Sequence, residues 1–136
     1  MNKIFIDTSF ILALVNSRDQ FYQKALELSI LYEGKPSVIT DGVLLEIGNA
    51  LARRFKQRAI DIIEGIKASQ EIEVIEVTPL LFDRGFELYK SHQDKSWGLV
   101  DCISFVVMQD VGISSALTFD QHFEQAGFSA LMRDRV

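Results

Sequence analysis

Four acidic residues stand where side chains can do chemistry. Asp7 closes the apolar run Ile4-Phe5-Ile6, Glu46 lies in Leu44-Leu45-Glu46-Ile47, Asp101 in Leu99-Val100-Asp101-Cys102-Ile103, and Asp120 follows the run that ends at Thr118-Phe119. An aspartate after a strand is commonly a helix cap, and that reading suffices for Asp7 or Asp120 taken alone. Glu46 and Asp101 fit it less well, because a carboxylate among apolar neighbours is costly unless a cation or good hydrogen bonds compensate. Gathered on one rim, four carboxylates repel one another and raise some of their pKa values unless a divalent cation neutralises them. With one cysteine and no histidine spaced for ligation, oxygen ligands of this kind select Mg²⁺ or Mn²⁺. Such an ion polarises a phosphodiester and orients an attacking water, chemistry that requires no histidine base.

The elements that must bring these acids together are legible as alternating strands and helices. Lys3 to Ile6 reads as a short buried strand, Thr8 to Val15 as an apolar helix, and Asn16 to Asp19 as a polar break. Phe21, Ala25, Leu28 and Tyr32 recur at helical spacing up to Gly34. Pro36 to Thr40 predicts a second strand, with Thr40 or Asp41 as N-cap of a helix through Leu51. A helix over Arg58 to Ala68 precedes a third strand at Ile72, Val74 and Val77, and Thr78 with Pro79 opens a helix to about Tyr89. After the loop Asp94 to Gly98, Leu99 to Val111 is a buried helix stopped by Gly112. Ile113 to Thr118 predicts a fourth strand, Asp120 to Gln125 a short helix, and Phe128 to Met132 a small edge strand.

This order implies an α/β fold, a mainly parallel sheet of four to five strands covered by helices on both faces in three α/β/α layers. In such a sheet ligands bind at the carboxyl ends of the strands, which is where the four acids fall. The 136 residues, 48% hydrophobic and 24% charged, suit one domain over 1–136. The lone Cys102 excludes an intramolecular disulfide or a thiol-based zinc site, and together with the absence of a long apolar run predicts a cytoplasmic protein with no membrane span. A net charge of -5 argues against a protein that holds nucleic acid by a broad basic field.

One basic cluster breaks the acidic balance. Arg53, Arg54, Lys56 and Arg58 follow the helix of Glu46, and Glu46, Asn49 and Arg53 share a face of it. Arg53 and Arg54 are candidates to hold the phosphates of a phosphodiester substrate; a solvated helix end is the plainer alternative. His92 and His122 read as surface or structural residues, Trp97 as an anchor for the loop before Asp101, and Cys102 as a small buried hydrophobe.

Four segments in order, Phe5-Ile6-Asp7-Thr8-Ser9-Phe10, Leu45-Glu46-Ile47-Gly48-Asn49-Ala50-Leu51, Leu99-Val100-Asp101-Cys102-Ile103-Ser104-Phe105 and Leu117-Thr118-Phe119-Asp120-Gln121-His122-Phe123, resemble the PIN domain. This small acidic nuclease fold is also found as the toxin of bacterial VapBC-type toxin–antitoxin pairs. The resemblance runs along essentially the whole chain. It implies Asp7, Glu46, Asp101 and Asp120 as catalytic, metal-binding acids, with Thr8 or Ser9 and Thr118 as supporting hydroxyls; Asn49 joins them from its place on the helix face of Glu46. It also implies Mg²⁺- or Mn²⁺-dependent endonucleolytic cleavage of RNA to 5′-phosphate and 3′-hydroxyl ends, a cognate antitoxin and a homodimer. Asp94 stands just before the third acid's helix, where the family varies, and is carried as an uncertain member of the site.

Other readings fit less well. A haloacid-dehalogenase-like phosphatase wants a second aspartate where Ser9 stands, and a receiver domain wants an acidic pair at the end of the first strand. A non-catalytic PIN-like module binding RNA or protein has no need to tolerate four mutually repelling acids.

Overall fold

Ile4–Ile6 is a strand with no exposed side chain, and it lies at the middle of the sheet. The structure, a computed structural model, describes residues 2–133. In chain order the elements are β1 (Ile4–Ile6), α1 (Thr8–Val15), α2 (Tyr22–Leu31), β2 (Ser37–Thr40), α3 (Asp41–Leu51), α4 (Lys56–Ala68), β3 (Ile72–Ile75), α5 (Pro79–Ser91), α6 (Leu99–Val111), β4 (Ser115–Leu117), α7 (Gln121–Gln125) and β5 (Ser129–Ala130), then a 3₁₀ turn over Leu131–Arg133. The strands form one five-stranded sheet in the order β3-β2-β1-β4-β5, and every pairing is parallel. Helices flank this sheet, as the alternation of elements predicts.

The chain winds one way from β1 through β2 to β3 and the other way through β4 to β5, so the connections part between β1 and β4. At such a switch point the helices leave in opposite directions and open a crevice beyond the carboxyl ends of the two strands. Asp7 follows β1, and Thr118 and Asp120 follow β4.

Local chemistry sets the element ends. Thr40 caps α3 by accepting from Val43 N at 3.2 Å, which resolves the choice between Thr40 and Asp41. Thr78 caps α5 in the same way, through Leu81 N at 3.1 Å, with Pro79 in the first turn. Gly112 ends α6 at φ 81°, a left-handed backbone that costs glycine nothing and other residues a clash. Gly85 serves close approach instead: a Cβ there would lie 3.1 Å from the Ile103 Cα, so α5 packs directly on the backbone of α6.

The core lies between sheet and helices. Phe5, Phe105 and Phe123 are fully buried and join β1, α6 and α7, with the Phe105 and Phe123 rings edge to face at 4.9 Å. Trp97 packs edge-on against Phe105 at 5.1 Å and donates from Nε1 to Gln125 at 2.9 Å, which makes it the anchor of the loop before α6. Cys102 is buried, and burial pushes its thiol up to about 11, so it behaves as a small hydrophobe. The expected edge strand over Phe128 to Met132 shortens to Ser129–Ala130, because the chain turns into the 3₁₀ segment at Leu131. No helix of the described residues is long and apolar enough to cross a membrane.

Candidate metal centre

Asp7, Glu46, Asp101 and Asp120 line one cleft of about 640 Å³, together with Thr8, Ser9, Leu12, Asp19, Asn49, Ala50 and Phe119. Each acid arrives from a different element. Asp7 is the N-cap of α1, accepting from Ser9 N at 3.4 Å, and Asp120 is the N-cap of α7, accepting from His122 N at 2.8 Å. Asp101 sits in the first turn of α6, where its Oδ2 accepts from Gly98 N at 3.1 Å. Its role as a helix-capping acid therefore holds, against the expectation that its apolar neighbours argue otherwise. The Asp101 side chain is still only 17% exposed, so the capping bond is one of the hydrogen bonds that compensate an enclosed carboxylate. Glu46 is half-buried on α3, while Leu45 beside it is 70% exposed.

The hydrogen bonds divide each carboxylate in two. Asp7 Oδ2 accepts from Ser9 Oγ at 2.9 Å and Thr118 Oγ1 at 2.8 Å, and Glu46 Oε1 accepts from Thr8 Oγ1 at 2.6 Å. Asp101 Oδ2 receives Gly98 N and His122 Nδ1, and Asp120 Oδ1 receives His122 N. The other oxygens, Asp7 Oδ1, Glu46 Oε2, Asp101 Oδ1 and Asp120 Oδ2, accept no hydrogen bond from the described residues. One side of each acid is fixed by protein donors and the other is left for the cleft.

Three of these acids, Asp7, Glu46 and Asp101, resist ionisation. Burial raises the pKa of Asp7 to about 6, against the hydrogen bonds from Thr118 and Ser9, and the charge of Asp101 adds to the rise. Burial also raises Asp101, where Asp120 adds and the His122 and Gly98 bonds oppose, and it raises Glu46, where Asp101 and Asp120 add and the Thr8 bond opposes. One ligand atom each of Asp101, Asp120 and His122 lies within 4.8 Å of the others, and a divalent cation held by these acids would relieve the repulsion, carboxylate oxygens being hard donors of the kind Mg²⁺ or Mn²⁺ takes.

Other residues fall on either side of expectation. Thr8, Ser9 and Thr118 each hold an acid, and Asn49 is on the cleft wall. Asp94 does not join them: it is exposed, pairs with Lys95 at 3.4 Å and lies outside the lining of the cleft. The loop points it to solvent while Trp97 turns the chain inward. Arg53 and Arg54 flank a second groove, lined also by Leu12, Asn16, Asp19 and Ala50, and three of these residues belong to both grooves. The basic pair thus stands on the continuation of the acidic cleft.

Two residues, one lining the cleft and one behind it, are not marked by the sequence. Asp19 lines it from the segment after α1, where it reads only as part of a polar break. His122, expected as a surface or structural residue, is structural: it stands behind the cleft lining with its Nδ1 3.0 Å from Asp101 Oδ2 and 3.2 Å from Asp120 Oδ1, contacts that the sequence does not mark. The available signal was position, since a residue two places after an acid at a strand end shares its rim. His92, in contrast, stacks on Trp97 at 4.8 Å and takes no part in the cleft.

Comparison with known proteins agrees with the geometry. The 23S rRNA-specific endonuclease VapC20, from two strains of Mycobacterium tuberculosis, is 36% identical over 127 residues, covering 92% of this chain and 95% of the relative. The crystal structure of Mycobacterium tuberculosis VapC20, described as a sarcin-ricin loop cleaving toxin, superposes with a TM-score of 0.82 at 33% identity, over 92% of this chain and 95% of that one. The family model for the PIN domain matches residues 4–129, and with four acids converging at the switch point of a parallel sheet, the chain belongs to the PIN domain family.

Proposed function

We propose that the chain is a Mg²⁺- or Mn²⁺-dependent endoribonuclease, the toxin of a VapBC-type pair, folded as one nuclease domain and acting in the cytoplasm on structured RNA of the 23S rRNA type. One observation carries the reading: four carboxylates on one cleft each keep one oxygen fixed by protein donors and one oxygen free of them. A scaffold that only binds gains nothing from holding such a set.

Asp7, Glu46, Asp101 and Asp120 would hold the cation through those free oxygens. Bound there, it supplies Lewis-acid activation of the phosphodiester and lowers the pKa of an attacking water. The chain's own residues do the rest. Ser9 and Thr118 orient Asp7, and Thr8 holds Glu46 toward the cleft. Asn49 offers an amide at the rim, and Arg53 and Arg54 neutralise RNA phosphates along the adjoining groove, which positions the strand without reading bases. The cognate antitoxin and a homodimer belong to the same reading.

An RNA hairpin carrying the 23S sarcin-ricin loop tests it. Cleavage in Mg²⁺ is expected to leave 5′-phosphate and 3′-hydroxyl ends, to stop in excess EDTA and to return with Mn²⁺. Cleavage that continues in chelator and leaves 2′,3′-cyclic phosphates would refute the metal reading, and an RNA left whole under all conditions would refute the nuclease.

A further inference from the structure

His122 occupies the joint of three segments. Its backbone N–H donates to Asp120 Oδ1 at 2.8 Å, its ring Nδ1 lies 3.0 Å from Asp101 Oδ2 and 3.2 Å from Asp120 Oδ1, and its Nε2 meets Ser96 Oγ at 3.2 Å. The ring thus touches α6, the start of α7 and the loop between α5 and α6. Trp97 Nε1 on Gln125, at 2.9 Å, ties that same loop to α7 a second time. The imidazole is mostly enclosed, with its side chain 19% exposed.

The chemistry of the partners fixes the proton. A carboxylate in its ionised form accepts hydrogen bonds and cannot donate them, so the tautomer that satisfies Asp101 Oδ2 and Asp120 Oδ1 together is the one with the hydrogen on Nδ1. Ser96 then meets Nε2 on the far side of the ring. Asp101 Oδ2 is thereby held by two donors, Gly98 N from its own helix and His122 Nδ1 from a neighbouring one. The second bond determines which way the carboxylate plane turns, because the first comes from the same local turn and moves with it. Remove the imidazole, and Asp101 keeps its cap but loses the donor that holds Oδ2 from the neighbouring helix.

A direct ligand role for His122 competes with this, since one atom each from Asp101, Asp120 and His122 lie within 4.8 Å of one another. The hydrogen bonds disfavour it. A nitrogen whose hydrogen lies between two carboxylate oxygens has no lone pair to offer, and Mg²⁺ and Mn²⁺ prefer oxygen.

We propose that His122 is a positioning residue of the metal centre: its Nδ1–H fixes Asp101 Oδ2 beside Asp120 so that the free oxygens of both acids face one cation. The inference rests on the metal reading of the cleft. It adds a residue that holds the acids from outside the set of ligands, a kind of partner whose loss commonly weakens metal binding by about 10–100-fold.

Calorimetric titration of Mn²⁺ into the full chain, His122→Ala, His122→Asn and Asp7→Asn tests it, with the imidazole ¹⁵N spectrum of the metal-free chain as a second measurement. The alanine variant is expected to bind Mn²⁺ about tenfold or more weakly than the parent. The asparagine variant, whose amide N–H reaches from the same backbone position toward Asp101, is expected to recover most of that loss. The metal-free spectrum should show a protonated Nδ1. Parent-like affinity in His122→Ala, with binding lost in Asp7→Asn, overturns the inference alone and leaves the metal site standing. Nitrogen coupling to bound Mn²⁺ in the parent that disappears in His122→Ala, or an unprotonated Nδ1 in the metal-free chain, also overturns it. A parent that binds no Mn²⁺ at all removes the metal reading and this inference together.

Discussion

Thr118 Oγ1 donates to Asp7 Oδ2 across 2.8 Å, joining the ends of two neighbouring strands through a hydroxyl with no exposure to solvent. The same oxygen accepts from Asp120 N at 3.0 Å, so one buried side chain links the first and last of the four acids. Ser9 Oγ makes the parallel arrangement beside it, donating to Asp7 Oδ2 and accepting from Phe119 N at 3.3 Å. Each hydroxyl has one proton, and both protons go to Asp7.

Replacing Thr118 by Val keeps the shape and removes that proton. The buried carboxylate and the Asp120 N–H each lose a partner, and leaving such groups unsatisfied costs about 1–3 kcal/mol. Thr118→Val is therefore expected to lower unfolding stability by that order and to raise the Asp7 pKa further, while Thr118→Ser retains most of both. Denaturant unfolding of the two variants checks it. A valine variant as stable as the parent would show that the hydroxyl holds nothing.

The raised pKa of Asp7 makes the metal-free chain sensitive to pH in a direction opposite to that of an ion-paired carboxylate. Folded Asp7 holds its proton more tightly than it does in the unfolded chain, where the value is near 3.8. Its contribution to stability is complete below that value and is lost as the pH rises through about 6. A gap of roughly two pKa units corresponds to about 3 kcal/mol. In chelator, the parent should lose stability relative to Asp7→Asn by that order between about pH 4 and pH 7. The asparagine keeps an acceptor oxygen for Ser9 and Thr118 and does not titrate. Parallel stability curves for parent and variant would contradict the prediction, and adding Mn²⁺ should restore the parent alone.

Arg53 and Arg54 are exposed on the groove that continues from the acids. Losing two phosphate contacts should weaken RNA binding and reduce the slope of log affinity against log salt by about 1.4–1.8, between the single-strand and duplex values. The double alanine variant is expected to do this while binding Mn²⁺ like the parent, as neither side chain lines the acid cleft. An unchanged salt slope would make the pair a solvated helix end.

The parallel order of strands and the rim they form were readable because buried runs such as Ile4–Ile6 and Val38–Ile39 alternate with helix-spaced segments capped by Thr40, Thr78 and Gly112. A crevice at strand ends follows from that alternation, and so does the rim position of Asp7 and Asp120. His122 and Asp19 were not readable. Their approach to the acids depends on how far α7 and the segment after α1 fold back over the sheet, which is set by contacts distant in sequence, such as Trp97 on Gln125 and the Phe21 ring stacked on Phe119 at 4.3 Å. Asp94 was ambiguous for the same reason, since a loop residue's direction depends on the anchor beside it.

Asp7, Asp101 and Asp120 should not contribute equally, and their places in the fold say how. Asp7 leaves the central strand and is nearly inaccessible, while Asp101 opens a buried helix and has a side chain 17% exposed. Asp120 leaves a strand one place from the sheet edge, caps a helix of only five residues and has a side chain 32% exposed. Water can reach that last position and replace a lost oxygen at small cost. Asp7→Asn and Asp101→Asn are therefore expected to lower cleavage by about two or more powers of ten, and Asp120→Asn by less. Folding should survive in all three, because an asparagine keeps the oxygen that accepts from Ser9 N, Gly98 N or His122 N and caps a helix as well as aspartate does. Without metal the variants should melt at or above the parent temperature, each having removed one member of a repelling set. Cleavage rates and metal-free melting of the three variants read both halves at once. A fully active Asp7→Asn, or three variants that all melt well below the parent in chelator, would mean that the acids are there to cap helices and hold the chain together, with no cation to share.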